Sequence, residues 1–378
     1  MSALFSPLTL RGLTLKNRLV ISPMCQYMAR GGLAGDWHLV QYGRFAVGGA
    51  GLVFVEATMV SEEGRATTGD LGIWSDDQVP GLKRIVDFVQ AQGAAVGLQL
   101  GHAGPKGSAQ RPWHGMGPLT EGDLEARGEA PWPMIGPTAD PAGPGFATPK
   151  AMTEADIAAL RAAYIAAAGR ALAAGFDVLE LHAAHGYLLH RFLSPLTNTR
   201  TDAWGGDLAG RMRLVLEIAR DLREVWPAEK PLFVRISADD YAEGGWSGAD
   251  SVTLARALKD CGVDVVDCSS GGIAGSATNG RLPRGPGFQV PYAEAVRKEA
   301  GLASMAVGLI LTPEQAEAII AEGRADLVAI GREALVNPNW PLMAREKLYG
   351  GAADFSQWPA PHGWWLDKRA AILQSLGL

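Results

Sequence analysis

Two histidines and a tyrosine stand close together in the segment HAAHGYLLHRFLSP, residues 182–195. His182 ends the apolar run FDVLELH, which is typical of a buried strand, and His185 falls in the turn that follows. Residues three apart on a strand point to opposite faces, but in a turn or at a helix start they share one face. We therefore expect both imidazoles to aim into one pocket, where paired N–H donors can stabilise an oxyanion. Tyr187 can close over the same space.

A metal site is the competing interpretation of this segment. The pattern H-x-x-H, with His190 beyond it, could ligate zinc. The glutamate of H-E-x-x-H is missing, however, and the following turn carries no acidic residue. We expect no metal here. A third interpretation stays open, in which the histidines are buried for structural reasons.

The elements that must position these residues are short apolar runs between amphipathic stretches. Eight such runs occur, at residues 17–23, 51–57, 94–100, 176–182, 232–237, 263–269, 303–308 and 326–331. Near-continuous apolar strands that alternate with helices predict a parallel sheet covered on both faces. The count of eight favours an α/β fold of the (β/α)8 TIM-barrel type over an open doubly wound sheet.

Helices are predicted where caps flank the amphipathic stretches. Residues 153–175 begin with a threonine N-cap and acidic residues, and end with a glycine. Residues 312–323 repeat this pattern with proline at the first helical position. We predict a single domain over residues 1–378, with a loop excursion at 104–150 over the barrel top after the third strand and a Trp/Pro-rich C-terminal tail at 351–378.

Polar groups follow nearly every predicted strand, and barrel active sites lie at the C-terminal ends of the strands. Gly308 and Gly331 end the seventh and eighth strands, and Arg332 adds positive charge. Loops at these positions commonly bind a phosphate, although ordinary tight turns would give the same pattern. The glycines of VGGAGLVFVEA precede a strand, so a Rossmann-type dinucleotide domain is not predicted.

The bulk composition argues against several classes of protein. The net charge of −6 disfavours a nucleic-acid partner, which would require a basic face. Three scattered cysteines, Cys25, Cys261 and Cys268, suit a reducing compartment rather than a disulfide framework. The N-terminus lacks a signal-peptide core, and we find no apolar run long enough to cross a bilayer. We expect a cytoplasmic protein with a small-molecule substrate, no nucleic-acid partner and no membrane.

The strand ends, taken together, resemble those of the old yellow enzyme family of FMN-dependent ene-reductases, and most of all its thermophilic-like branch, which includes the xenobiotic reductases. The specific motifs are SPMCQY, HAAHGYLLHRFLSPLTNTRTDAWGG and DLVAIGRE, and the similarity runs through essentially the whole chain. The resemblance implies noncovalently bound FMN and NADPH or NADH as reductant. It also implies ping-pong hydride transfer through flavin N5 to the activated C=C bond of an α,β-unsaturated carbonyl or a similar electron-poor compound.

The resemblance further implies a role for individual residues. The residues implied to bind FMN are Ser22, Pro23, Met24, Cys25, Ala57, Gln99, Arg235, Gly308, Gly331 and Arg332, with Arg235 near N1 and O2 and the last three at the phosphate. The residues implied to contact the substrate are His182, His185, Tyr27 and Trp365. The implied catalytic residues are Tyr187 as proton donor, His182 and His185 on the carbonyl oxygen, and Cys25 near N5. The tail is implied to lie near the active site of a neighbouring subunit in a homodimer or homotetramer.

Some positions depart from the family pattern. Val307 replaces a tryptophan of some relatives, and Trp364 stands where some have an arginine that reaches the neighbouring subunit. Lys106 matches a lysine usual in the family. Cys25 could instead be a small buried hydrophobic residue, or a nucleophile, although nothing marks a base beside it.

Three other functions stay open on the sequence. A redox-neutral flavin-dependent isomerase could use the same donors to move a double bond. A flavin barrel that reduces uridine in transfer RNA would need a basic surface, which the charge argues against. A non-catalytic flavin sensor would need neither the histidine pair nor Tyr187.

Overall fold

Eight parallel strands form a closed barrel in the computed structural model, which describes residues 2–273, 282–350 and 354–377. The strands are β1 Leu19–Ile21, β2 Leu52–Met59, β3 Ala95–Gly101, β4 Val178–Ala183, β5 Leu232–Ser237, β6 Val265–Ser269, β7 Ala303–Ala306 and β8 Leu327–Ile330. Each pairs with the next, and β8 pairs with β1 to close the ring. The prediction of a TIM barrel is confirmed.

The barrel strands are apolar because both of their faces are buried. Side chains that point inward form a compact cluster, in which the rings of Phe54 and Phe233 lie 5.8 Å apart. An N-terminal hairpin, Leu8–Leu10 paired with Leu13–Leu15, packs against this cluster and closes the lower end of the barrel. The opposite end, where the strands finish, is left for polar side chains.

Helices cover the outside of the barrel. They span Asp36–Val47, Val79–Ala91, Glu154–Ala174, Leu208–Val225, Gly248–Asp260, Val290–Ala295, Pro313–Ala321, Arg332–Val336 and Trp340–Tyr349, and Val296–Ala300 continues the sixth as a π-helical turn. Both predicted cap patterns are confirmed. Thr153 accepts a hydrogen bond from Asp156 N, and Thr312 accepts one from Gln315 N.

The helix Glu154–Ala174 qualifies one expectation from the sequence. By length and composition alone this helix could cross a membrane, whereas the sequence was predicted to hold no apolar run long enough to do so. In the fold it packs on the barrel, with one face buried from Ile157 to Ala174. On another face Arg161 forms ion pairs with Glu217 and Asp221 of the neighbouring helix.

Residues 104–150 leave the end of β3 and contain a helix of their own, Glu121–Arg127. They also hold the strand Ile135–Gly136, which pairs with Lys150–Ala151. This segment, here called the β3 insertion, begins in close contact with the chain after β4, since a Cβ on Gly104 would lie 3.0 Å from Leu188 Cα.

The tail forms the helix Ala360–Ser375, and its residues 351–353 and 378 lie outside the described residues. His362 of this helix lines an apolar groove together with Val40 and Arg44 of the first barrel helix. The start of the tail helix therefore lies beside the first barrel helix, and most of the tail helix is exposed.

Candidate active site

Residues at the C-terminal ends of five strands, β1, β5, β6, β7 and β8, meet around one cleft of about 260 Å³. Its lining includes the predicted residues Ser22, Pro23, Met24, Arg235, Gly308, Gly331 and Arg332. Gly308 has φ +113°, and a Cβ there would lie 2.6 Å from Gln289 Nε2, so the turn after β7 requires glycine. A Cβ on Gly331 would make only an ordinary contact with Met24 Sδ at 3.4 Å. The cleft brings together residues that are more than 300 positions apart in the chain.

A buried charged pair forms one wall of this cleft. Arg235 donates a hydrogen bond from Nη1 to Ser22 Oγ at 3.1 Å, and its Nε lies 3.1 Å from Asp267 Oδ2. Burial raises the pKa of Asp267, while Arg235 opposes that rise. Asp267 was not predicted from the sequence, although an acidic residue inside the apolar strand VDVVDCS is a detectable signal.

The predicted pair Ala57 and Gln99 lies in register on β2 and β3. Gln99 Nε2 donates to Glu180 Oε1 on β4 at 2.8 Å, and all three residues are buried. Burial and the nearby Asp267 raise the pKa of Glu180 to about 8, so much of this carboxyl is protonated at neutral pH. Glu180 was also missed. Its signal was the acid in the otherwise apolar DVLEL.

His182, His185 and Tyr187 come together, as the sequence predicts. The ring centroids of His182 and His185 lie 5.2 Å apart, and that of Tyr187 lies 5.3 Å from His182. His185 has φ +61°, its backbone N donates to Ser237 Oγ at 2.8 Å, and its Nε2 lies 2.7 Å from Ser269 Oγ. The positive φ of His185 in this turn places the second imidazole edge-on beside the first.

Both imidazoles are neutral at physiological pH. Burial, followed by the charge of Arg235, lowers the pKa of His182 and of His185 well below the ordinary value. Among the described residues, His182 Nδ1 is buried with no hydrogen-bond partner. A buried polar atom without a partner is costly in free energy, so this nitrogen suits a ligand group.

His190 has a structural role. Its Nδ1 accepts a hydrogen bond from Gly186 N at 2.8 Å, and its Nε2 lies 2.9 Å from Asp240 Oδ1 in a fully buried pair. The pair fixes the turn that carries His185 and Tyr187. Within the described ranges, no group of three or more His, Cys, Asp or Glu side chains is placed to hold a metal ion.

The loop after β1 carries Cys25 next to a buried carboxyl. Glu56 on β2 accepts hydrogen bonds from Gln26 N at 2.7 Å and from Tyr42 Oη at 2.9 Å. Burial raises the pKa of Glu56 to about 8. Burial and Glu56 together raise the pKa of the half-buried Cys25, so this residue is a thiol and not a thiolate. That protonation state argues against the nucleophile interpretation.

Lys106 bridges two of the turns that surround the site. Its Nζ donates to the carbonyl oxygens of His185 at 2.7 Å and Gly272 at 2.6 Å, and lies 5.7 Å from the centre of the Tyr187 ring. Burial lowers the pKa of Lys106 to about 8. The lysine thus ties the β3 insertion to the turns after β4 and β6, and it positions Tyr187.

Tyr27 lies near Tyr187, whereas Trp365 is not among the residues that line the cleft. Tyr27 has φ +56°, and it is close enough to Tyr187 to contribute, after burial and Cys25, to raising the pKa of that phenol. Trp365 is 68% exposed on the tail helix, with its ring 4.5 Å from that of Trp364. The predicted contact of Trp365 with the substrate of a neighbouring subunit stays a prediction.

The residues of the cleft fit a flat cofactor that carries a phosphate. The glycine turns after β7 and β8, with Arg332, offer backbone approach and positive charge at one end. Arg235 offers a further polar group in the same cleft. The histidine pair adjoins the cleft, because Ser269, which contacts His185, also lines it.

Comparison with known proteins agrees with this geometry. Residues 3–350 match the NADH:flavin oxidoreductase / NADH oxidase family. An NADPH dehydrogenase of Geobacillus thermodenitrificans is 46% identical over 349 residues, covering 92% of this chain and 95% of that protein. An NADPH dehydrogenase of Halalkalibacterium halodurans is 45% identical over 347 residues, with 91% and 94% covered.

Solved structures show the same architecture. Morphinone reductase superposes with a TM-score of 0.75 at 28% identity, covering 91% of this chain and 89% of that one. A 2-naphthoyl-CoA reductase superposes with a TM-score of 0.81 at 26% identity over 91% of this chain, which spans about half (52%) of that protein. The family match and the two dehydrogenases confirm the resemblance to the old yellow enzymes at the level of the family. The chain belongs to the NADH:flavin oxidoreductase / NADH oxidase family and is an oxidoreductase that uses FMN with NAD(P)H as reductant.

Proposed function

We propose that the protein is an NADPH or NADH dehydrogenase that reduces the activated C=C bond of α,β-unsaturated carbonyls or similar electron-poor alkenes. The observation that carries this proposal is the convergence of two neutral imidazoles and Tyr187 beside the cleft. The reduction needs a hydride at the β-carbon, a proton at the α-carbon and donors for the oxygen on which negative charge develops.

The chain's own residues supply the donors and the proton. Bound FMN supplies the hydride chemistry, from NAD(P)H to the alkene. His182 and His185 donate hydrogen bonds to the substrate's carbonyl oxygen, because both rings are neutral and the Nδ1 of His182 is buried without another partner among the described residues. Tyr187 gives its proton to the α-carbon. Burial, followed by Cys25 and Tyr27, raises the pKa of this phenol, so it stays protonated until the substrate demands the proton.

The cofactor is held by the remaining strand ends. We propose that Ser22 to Cys25 border its flat ring, that Ala57 and Gln99 meet its polar edge, and that Gly308, Gly331 and Arg332 bind its phosphate. Arg235 provides positive charge where negative charge grows on reduction, and Ser22 and Asp267 keep its side chain in place.

The test is anaerobic and has two stages. The purified protein should be yellow and should release FMN on denaturation. NADPH should bleach the flavin, and a simple cyclic enone should restore the colour. With NADPH deuterated at the transferred position, the saturated ketone should carry one deuterium at the β-carbon. A colourless protein that FMN cannot reconstitute would refute the assignment.

The same experiment decides the redox-neutral alternative. A flavin-dependent isomerase would convert a β,γ-unsaturated ketone to its conjugated isomer without NAD(P)H. If this conversion occurs, and if the enone causes no consumption of NADPH, the protein is an isomerase and the reductase proposal is overturned.

We further propose that residues 1–378 form one domain that acts in the cytoplasm as a homodimer or homotetramer. The three cysteines, all within the described residues, are free thiols, as a reducing compartment favours. Trp364 and Trp365 expose 55% and 68% of their surface, and exposed aromatic patches commonly mark contacts. Trp365 would then reach the substrate of a neighbouring subunit.

A further inference from the structure

The β3 insertion docks directly on the loop that carries Cys25 and Tyr27. Gly69, which follows β2, makes this approach possible. A Cβ there would lie 2.2 Å from Tyr27 O and 2.7 Å from Arg111 Nε, so the two segments meet over a residue without a side chain. Ala29 N also donates to Gly69 O at 2.9 Å, which fixes the loop from the other side.

A buried carboxylate anchors the insertion at this place. Glu129 is 5% exposed and receives three donors. Thr68 Oγ1 donates at 2.7 Å, Arg127 Nε donates at 3.1 Å, and Arg111 Nη1 lies 3.0 Å away. Thr68 belongs to the segment after β2 and the other two belong to the insertion, so Glu129 joins the insertion to the barrel. A buried carboxylate with several charged or polar donors holds its neighbours in one arrangement.

The anchored segment presents Trp113 at the mouth of the site. Trp113 lies in a single 3₁₀ turn, Pro112–His114, next to Arg111. Its ring stands edge-on to Tyr27, with centroids 6.0 Å apart and an interplanar angle of 78°. Yet 57% of its surface remains exposed. A large apolar side chain that is fixed by its neighbours but left open at a site mouth is suited to contact a ligand.

We infer that Trp113 is a specificity-determining residue, which packs against a flat aromatic or apolar substituent that projects from the reacting alkene past Tyr27. This inference rests on the proposed function, because it takes the acceptor to lie between Tyr187 and Tyr27. The side chain of Tyr27 forms the inner part of this wall and Trp113 the outer part. A compact acceptor ends before Trp113, and an aryl-substituted acceptor reaches it.

The experiment compares two enones on the FMN-loaded enzyme. One is 2-cyclohexen-1-one, which is compact, and the other is 4-phenyl-3-buten-2-one, which carries an aryl group on the β-carbon. The variants are Trp113→Ala, Trp113→Phe and the control Leu124→Ala, a 41% exposed residue on the helix Glu121–Arg127 of the same insertion. The saturated ketone 4-phenyl-2-butanone is titrated separately into the oxidised enzyme, and its Kd is measured by calorimetry.

Trp113→Ala should lower kcat/KM for the aryl enone about 5- to 10-fold more than for cyclohexenone, mainly through KM, because one aromatic contact is lost. The Kd of the saturated ketone should rise by a similar factor. Trp113→Phe should keep most of the wild-type kcat/KM for the aryl enone and most of the affinity for the saturated ketone. Leu124→Ala should change neither the ratio of the two kcat/KM values nor the Kd. The inference would be overturned if Trp113→Ala lowered kcat/KM equally for both enones. It would also be overturned if this variant changed neither kcat/KM value nor the Kd of the saturated ketone. If wild type reduces neither enone, the proposed function fails, and the Kd of the saturated ketone still decides whether Trp113 binds the aryl group.

Discussion

At the scale of single residues, the site depends on which protons its groups keep. Burial keeps His182 and His185 neutral and keeps Tyr187 and Cys25 protonated. Neutral groups donate hydrogen bonds without placing a fixed charge beside the cleft. The positive charge there comes from Arg332 and from Arg235, which is paired with the buried Asp267.

Tyr187→Phe should separate the two half-reactions. Transfer of hydride from NAD(P)H to FMN needs no proton from Tyr187, so flavin reduction should stay within a few-fold of wild type. Reduction of a cyclic enone should slow by about 10²- to 10⁴-fold, the usual effect of losing a positioned acid. Stopped-flow absorbance measures both halves, and Tyr349→Phe, 49% exposed, is the control. An unchanged oxidative half would mean that Tyr27 or solvent provides the proton.

Cys25→Ala should leave FMN bound and lower its reduction potential. A thiol is a weak donor, and its loss at the reduced cofactor should destabilise that state by under about 1 kcal/mol, or about 10–20 mV for a two-electron couple. Spectroelectrochemical titration measures the shift. Cys261→Ala, at the end of the helix Gly248–Asp260, is the control. If potential and enone kinetics both stay the same, Cys25 serves packing alone.

At the scale of elements, β2 and β4 each bury a carboxyl among apolar residues. The cost of ionising Glu56 and Glu180 there raises the pKa of each to about 8. Glu56 uses its oxygens to hold the loop after β1 through Gln26 N, and Glu180 uses one oxygen to hold Gln99. These two strands therefore position the loop and the amide that we assign to the cofactor.

The raised pKa values predict a pH dependence of stability. A carboxyl whose folded pKa exceeds its unfolded value stabilises the fold below the unfolded pKa, and this contribution is lost as pH rises through the folded pKa. Glu56→Gln removes the titration, so its melting temperature relative to wild type should increase between about pH 5 and about pH 8. Differential scanning calorimetry of the holoenzyme measures this difference.

Taking the difference between variant and wild type cancels the titration of the buried histidines, which both proteins share. Glu62→Gln, at a side chain 66% exposed, should show no such trend. A difference for Glu56→Gln that stays constant across this range would show that Glu56 is ionised in the fold.

At the scale of the whole molecule, the tail helix lies outside the barrel and leaves its two tryptophans exposed. Removal of residues 351–378 should lower the melting temperature and raise KM for the enone. Trp365→Ala should raise KM about 3- to 10-fold, as expected for an aromatic contact at an interface, and Ile372→Ala on the same helix is the control. Light scattering should show a dimer or tetramer. A strictly monomeric wild type would rule out a contribution of the tail to a neighbouring site.

The sequence by itself determined the parts of the protein that depend on local patterns. The eight apolar runs predicted all eight barrel strands, because strands buried on both faces must be apolar along their length. The spacing of His182, His185 and Tyr187 predicted a cluster, since a strand end and its following turn are neighbours whatever the rest of the chain does.

The tertiary structure alone decided the contacts between segments far apart in the chain. Nothing local marks Glu56 as the partner of Gln26, Asp240 as the partner of His190 or Tyr27 as the partner of Trp113. These pairs form because closing the barrel brings all the strand ends to one rim and because Gly69 lets the β3 insertion approach the first loop. The protonation states follow in the same way, because the pKa of a side chain depends on burial and on charges that only the folded chain brings near it.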